Sequence, residues 1–245
     1  MKKRAQVTVF IIIAILIIAI IVLFFIFREK LLPEEKVDIQ VQPIHSYVEN
    51  CIKEIAEDAI YTIGRKGGYF LSPELSTESG VTYYFDKGKS YMPSKEIIEN
   101  EISLYVDEML FFCTKNFVDF PDFNVKQRRI KTKATITDDN VILNIEYPLS
   151  ISKGETTHSF KRFEDIEISV RLGIIYNTMD EIMREQMTHK ENICLSCIVD
   201  LALKNDLYVE MQDYDDETVI FTFRDENIKL NEEDYRFTFA NRYKR

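Results

Sequence analysis

The 245-residue chain has no tryptophan, three histidines, six prolines and seven glycines. With so few histidines and no His-Glu-x-x-His pattern, the common helical zinc-hydrolase arrangement is excluded. His45, His158 and His189 are far apart in sequence and read as surface or helix-end residues. Glycine is too scarce for a phosphate-cradling loop. Gly64, Gly67 and Gly68 cluster, but they follow a helical pattern rather than a strand and lack the Gly-Lys-Ser/Thr ending, so they read as a helix end and tight turn. Ser72, Ser79 and Ser152 sit in no nucleophile elbow, and the run Asp213, Asp215, Asp216, Glu217 lacks the central glycine and closing glutamate of a calcium loop. Positive charge is also short: 31 Lys and Arg stand against 41 Asp and Glu, a formal net charge of −10. Such a surface repels phosphate backbones at long range, which excludes nucleic acid as a partner.

What the chain does have is apolar and aromatic material, with 46% hydrophobic residues, 13 Tyr and 17 Phe. Residues 7–27 carry Thr8 as their only polar side chain. At about 1.5 Å per residue a helix of this length spans about 30 Å, the hydrocarbon thickness of a bilayer. The run predicts a single transmembrane helix, with residues 7–27 in the lipid bilayer. It is longer than the apolar core of a cleaved secretory signal and ends in Phe-Arg-Glu-Lys without small residues, which favours retention as an anchor. Lys2, Lys3 and Arg4 form a basic stub at residues 1–6 and bias the N-terminus towards the cytoplasm. The remainder is then extracytoplasmic: a juxtamembrane stalk at residues 28–42 with a central Pro33, and one α+β domain at residues 43–245.

The domain reads as helices and period-two strands. Ile44, Val48, Cys51, Ile52, Ile55, Ala59 and Ile63 recur at helical spacing over residues 43–63, ending at Gly64. Ser94 caps a second helix through residue 116. Residues 126–137 and 141–152 predict a hairpin around Asp138-Asp139-Asn140, with a third strand at 156–163. A long helix is expected over 164–189 and a shorter one over 192–204, followed by strands at 207–212, 218–224 and 235–240. The fold class is α+β: a transmembrane helix, then a soluble domain with one central antiparallel sheet packed against several helices.

Four cysteines are the most informative polar set. Cys51 and Cys113 fall on the apolar stripes of two predicted helices, and packing those faces together brings both side chains inward. A bond there would close a long loop, worth about 4 kcal/mol in the chain-entropy model. It would also require an oxidising compartment, which agrees with an extracytoplasmic domain. Cys194 and Cys197 form a Cys-x-x-Cys near a helix start, open to a structural disulfide, to redox work of the thioredoxin type, or to zinc with the other pair. No βαβ unit precedes it and only one closely spaced pair exists, which weighs towards structure. No catalytic set, cofactor site or metal site emerges.

Lys3-Arg4-Ala5-Gln6-Val7-Thr8 resembles the class III signal of archaeal type IV pilin-like proteins. The resemblance implies a cut between Ala5 and Gln6 by a dedicated peptidase. Phe10 stands where pilins often carry Glu, and Leu31-Leu32-Pro33 interrupts the helix that pilins continue into the head. Tyr147-Pro148-Leu149-Ser150-Ile151 and the stretches at 43–51 and 63–69 look like a family of single-pass proteins from small archaeal genomes. That resemblance implies an archaeal surface protein and no particular activity. The expected function is a membrane-anchored, non-enzymatic protein that binds other envelope or membrane proteins, as a pilin-like component or accessory. The alternative is a membrane-tethered thiol–disulfide oxidoreductase using Cys194 and Cys197.

Overall fold

The computed structural model describes residues 13, 14, 16–18 and 39–243. The chain divides into two units, Met1–Ile39 and Gln40–Arg245. In the first, Ile13, Ala14, Leu16, Ile17 and Ile18 are helical, and all five are exposed. Among the described residues no helix is long and apolar enough to cross a membrane. The expected fold class, with its transmembrane helix, is corrected on this point: the described part of the chain is α+β, and none of its helices has the length and apolar character to span a bilayer. Most of residues 7–27, together with Ala5 and Gln6, lie outside the described residues.

The second unit is α+β with antiparallel sheets, but three sheets replace the single central one. Helix α1 (Gln42–Arg65) carries Pro43 in its first turn and buries Ile44, Val48, Cys51, Ile52, Ala56, Ala59, Ile60 and Ile63, a stripe recurring every three or four residues. It runs past Gly64 and stops at Gly67 (φ 73°), where Gly68 N–H reaches back to the Ile63 carbonyl at 2.9 Å. Gly64 has a different task. A Cβ there would lie 2.8 Å from both the Arg236 carbonyl and the Tyr235 hydroxyl, so the residue permits close approach of the last strand.

Strands β1 (Tyr83–Asp86) and β2 (Lys89–Ser90) form a short hairpin ahead of helix α2 (Lys95–Thr114), whose Ser94 cap accepts from Ile97 N–H at 3.3 Å. The predicted long hairpin is broken into four strands: β3 (Asn124–Gln127), β4 (Lys131–Ile136), β5 (Asn140–Glu146) and β6 (Leu149–Lys153). The pairing is as expected, β4 with β5 and β3 with β6, but it is interrupted at Arg128-Arg129-Ile130 and at Tyr147-Pro148, and proline cannot donate to a ladder. The two halves then recruit different third strands. Strand β7 (Thr156–Phe160) adds to β6, and β8 (Ile166–Ser169) adds to β5. Residues 164–171, expected as helix, instead supply β8; helix α3 begins only at Leu172 (Leu172–Thr188).

Helix α4 (Leu195–Lys204) leads into β9 (Tyr208–Asp213), β10 (Thr218–Leu230) and β11 (Glu233–Arg242). The five-stranded sheet has the order β2-β1-β11-β10-β9, with β1 and β11 parallel and the other pairs antiparallel. Phe221 pairs with Phe239 and Phe223 with Phe237 across β10 and β11. These rings and Tyr84 are fully buried, and Tyr84 stacks on Phe239 at 4.6 Å.

Strand β4 is the edge of its sheet, and helix α2 closes it. The Ile136 N–H donates to Glu99 Oε1 (2.8 Å), and the Ala134 N–H to Ser103 Oγ (2.9 Å). Four helical residues rise about 6.0 Å and two strand residues about 6.6 Å, so acceptors every fourth position match outward N–H groups at every second. Asp107 continues the series towards Thr132; burial raises its pKa, partly offset by hydrogen bonding to Thr132. Glu99→Ala is expected to leave the Ile136 N–H without a partner and to cost about 1–3 kcal/mol in urea unfolding, while Glu99→Gln, which keeps an acceptor oxygen, costs less than half as much.

Candidate functional site

The structure joins the cysteines in two pairs, Cys51 with Cys113 and Cys194 with Cys197, and leaves no free cysteine among the described residues. Among the described residues the four sulfurs do not gather into one group, so the arrangement gives no support to a four-thiolate zinc site.

Cys51 lies on α1 and is 3% exposed; Cys113 is half-buried near the C-terminal end of α2, with Cα atoms 5.8 Å apart. The face-to-face packing of two amphipathic helices brings them together. The end of α2 is secured a second time. Tyr47 on α1 donates its hydroxyl to the Cys113 carbonyl at 2.8 Å, satisfying one of the acceptors that a helix end leaves open. The Tyr47 ring packs on Phe117 and Phe120 just beyond.

Cys194 and Cys197, with Cα atoms 5.3 Å apart, occupy the N-cap and third positions of α4. Both are half-buried. The Cys194 Sγ accepts the Cys197 N–H at 3.3 Å, so the sulfur is itself the helix cap.

The histidines remain apart. His45 faces Glu49 at 3.3 Å and packs between Phe160 and Phe163; His158 lies on β7, and His189 caps the end of α3. Among the described residues no group of His, Cys, Asp or Glu could hold a metal ion. Asp215 organises the β9–β10 turn, accepting from the N–H groups of Glu217 (2.8 Å) and Thr218 (2.7 Å), and the first of these bonds is the main cause of its lowered pKa.

One charged pair gave no signal in the sequence. Asp225 is fully buried on β10 and receives both arms of the Arg171 guanidinium, at 2.7 and 2.8 Å. The remaining Arg171 donors reach the Asn205 and Asp206 carbonyls, both at 3.1 Å, at the end of α4. Asp225 Oδ1 also accepts from Asn227 N–H at 3.0 Å, where β10 bulges before Lys229. The pair thus joins α3, α4 and β10, and it raises the Arg171 pKa. Its contacts are those of a structural tie between elements.

Comparison with protein-family models, with curated proteins and with solved structures finds no match for this chain.

Two substitutions test these arrangements. Cys51→Ser should destabilise the oxidised domain by about 2–5 kcal/mol, and Cys51→Ser/Cys113→Ser should cost little more than either single change, read from thermal unfolding. Arg171→Ala should cost about 3–5 kcal/mol because it strands a buried carboxylate. Adding Asp225→Asn should then recover over half of that loss, since the amide is uncharged and still accepts the Asn227 N–H.

Proposed function

We propose that this chain is a membrane-anchored extracytoplasmic protein of structural or protein-interaction type, a pilin-like component or accessory of an archaeal cell surface. The observation that carries this reading is the Cys51–Cys113 bond between α1 and α2. A buried cross-link between two core helices belongs to a protein that folds in an oxidising compartment. The acidic composition and the basic stub ahead of the apolar run support the same placement, with the N-terminus inside, residues 7–27 in contact with lipid, and the domain outside.

An interaction role finds support on the outer face of α2. Ile97, Leu104 and Phe111 recur every seven residues and are 40%, 44% and 49% exposed, with Phe112 (65%) and Val118 (67%) at the same end. Apolar side chains gathered in this way on an otherwise charged surface mark a contact for another envelope protein. Protease added to intact cells should remove a C-terminal tag and degrade the domain. A tag digested only after lysis would place the domain in the cytoplasm and end this reading.

A further inference from the structure

We infer that the Cys194–Cys197 pair is a thiol–disulfide exchange site whose substrate is a cysteine-bearing polypeptide with basic residues beside its thiols. The two disulfides differ in span and in what they join. Cys51–Cys113 joins two helices across 62 residues, with Cys51 buried and Cys113 half-buried. Cys194–Cys197 spans three residues within one helix start, and a loop that short removes far less freedom from the unfolded chain. Both of its sulfurs belong to half-exposed residues on the surface of the domain.

The local geometry favours exchange at Cys194. Its Sγ already accepts the Cys197 N–H at 3.3 Å, and α4, ten residues long, directs the positive end of its dipole at the same atom. A thiolate released there keeps both interactions, which makes Cys194 the better nucleophile and the better leaving group. The same helix shows Leu195 (54% exposed), Val199 (39%) and Leu203 (61%) to solvent, an apolar strip beginning one residue from the bond.

Charge selects the partner. Ile193 and Leu195, on either side of Cys194 in sequence, line a depression of 310 Å³ whose other wall is the β9–β10 hairpin. Asp215 is occupied by the turn, and Glu217 pairs with Lys87 at 3.2 Å. Glu191, Asp213 and Asp216 have no ion pair among the described residues and no basic residue lines the depression. An incoming chain with Lys or Arg next to its cysteines meets three uncompensated carboxylates, whereas an acidic one is repelled.

The exchange balances without a further reagent. A partner thiolate attacks Cys194 Sγ, the Cys194–Cys197 bond breaks, and Cys197 leaves with the electron pair and takes up a proton. The partner's second thiolate attacks the partner sulfur of the mixed disulfide and expels Cys194, which is then protonated. The partner dithiol has lost two electrons and two protons to the pair. A disulfide-bearing partner drives the same steps backwards.

The test uses the full-length chain and two synthetic peptides, each with two cysteines, one flanked by Arg and Lys and the other by Asp and Glu. With reduced peptides, alkylation and mass spectrometry should show the basic peptide oxidised at least tenfold faster than the acidic one at low salt. The gap should shrink at high salt, and Cys51–Cys113 should stay bonded. With the basic peptide in its disulfide form, Cys197→Ser should hold a peptide adduct on Cys194 at least tenfold faster than Cys194→Ser holds one on Cys197. Circular dichroism confirms that both variants are folded. A pair that stays bonded under excess of either reduced peptide overturns the exchange site. Equal rates for the two peptides overturn the substrate class, and equal trapping by the two variants overturns the role of Cys194.

Discussion

A strand edge left open at β4 would expose a row of N–H groups to any other chain, and the domain answers this with side chains. Glu99 and Ser103 on α2 accept the outward N–H groups of Ile136 and Ala134, in place of the strand that would otherwise extend the sheet. This fixes α2 along the length of β4, because acceptors on successive helical turns must meet alternate strand residues. The apolar stripe of α2, with Ile98, Ile102, Val106 and Leu110 fully buried, is thereby committed to the remaining side. That side is where α1 packs, and where Cys113 meets Cys51. The exposed Ile97, Leu104 and Phe111 follow from the same constraint: a helix hydrogen-bonded to a strand and packed on a helix still has a third face, and these three share it with Asn100 and Glu108.

The opposite half of the domain is tied by charge. Arg171 lies just before α3 and reaches the end of α4 and the bulge in β10. Burying a carboxylate this completely is costly, and the cost is met only because both oxygens are engaged by the guanidinium fork, with Oδ1 also held by the Asn227 N–H. The arrangement specifies one path for the chain. Asp206, at φ 52°, ends α4 in the left-handed conformation, so that the Leu207 N–H returns to the Ala202 carbonyl at 3.0 Å and β9 starts in register beside β10.

Where a single physical signal acted alone, the sequence was legible. The stripe of α1 required little more than a period of 3.6, whereas on α2 the same period admitted Ile97 and Phe112, which are exposed, and passed over Val106 and Leu110, which are buried. Ile168 shows the limit. Its spacing to Leu172 and Ile175 fits a helix, while Ile166, Ile168 and Val170 also alternate as a strand; pairing with β5 decides, and nothing local reveals β5 as the partner. The hairpin between β10 and β11 was hidden for another reason. Its two-residue turn, Asn231-Glu232, needs positive φ at both positions (53° and 67°), and Glu232 is an unusual residue for that conformation. The split of the long hairpin into two sheets had a visible cue in Pro148, though not a direction. Arg171 and Asp225 lie 54 residues apart on elements of different type, and no periodicity connects them.

The two disulfides divide their work along the same line between long-range and local. In the chain-entropy model the cross-link from Cys51 to Cys113 is worth about 4 kcal/mol, a large share of the stability of a domain this size. It also holds α2 in place from the α1 side, so that breaking it would loosen the very helix that closes β4. A bond with that burden cannot be opened in each round of exchange without exposing the strand edge. Cys194–Cys197 carries no such burden. Its helix is anchored at the far end through Arg171, which binds the Asn205 and Asp206 carbonyls whether or not the sulfurs are joined. In the bonded state the Cys194 sulfur accepts the Cys197 N–H, and a thiolate formed there would face the same N–H and the same helix start. A reactive cysteine pair in this fold therefore belongs at the start of α4, where opening the bond changes one cap and leaves the packing between elements in place.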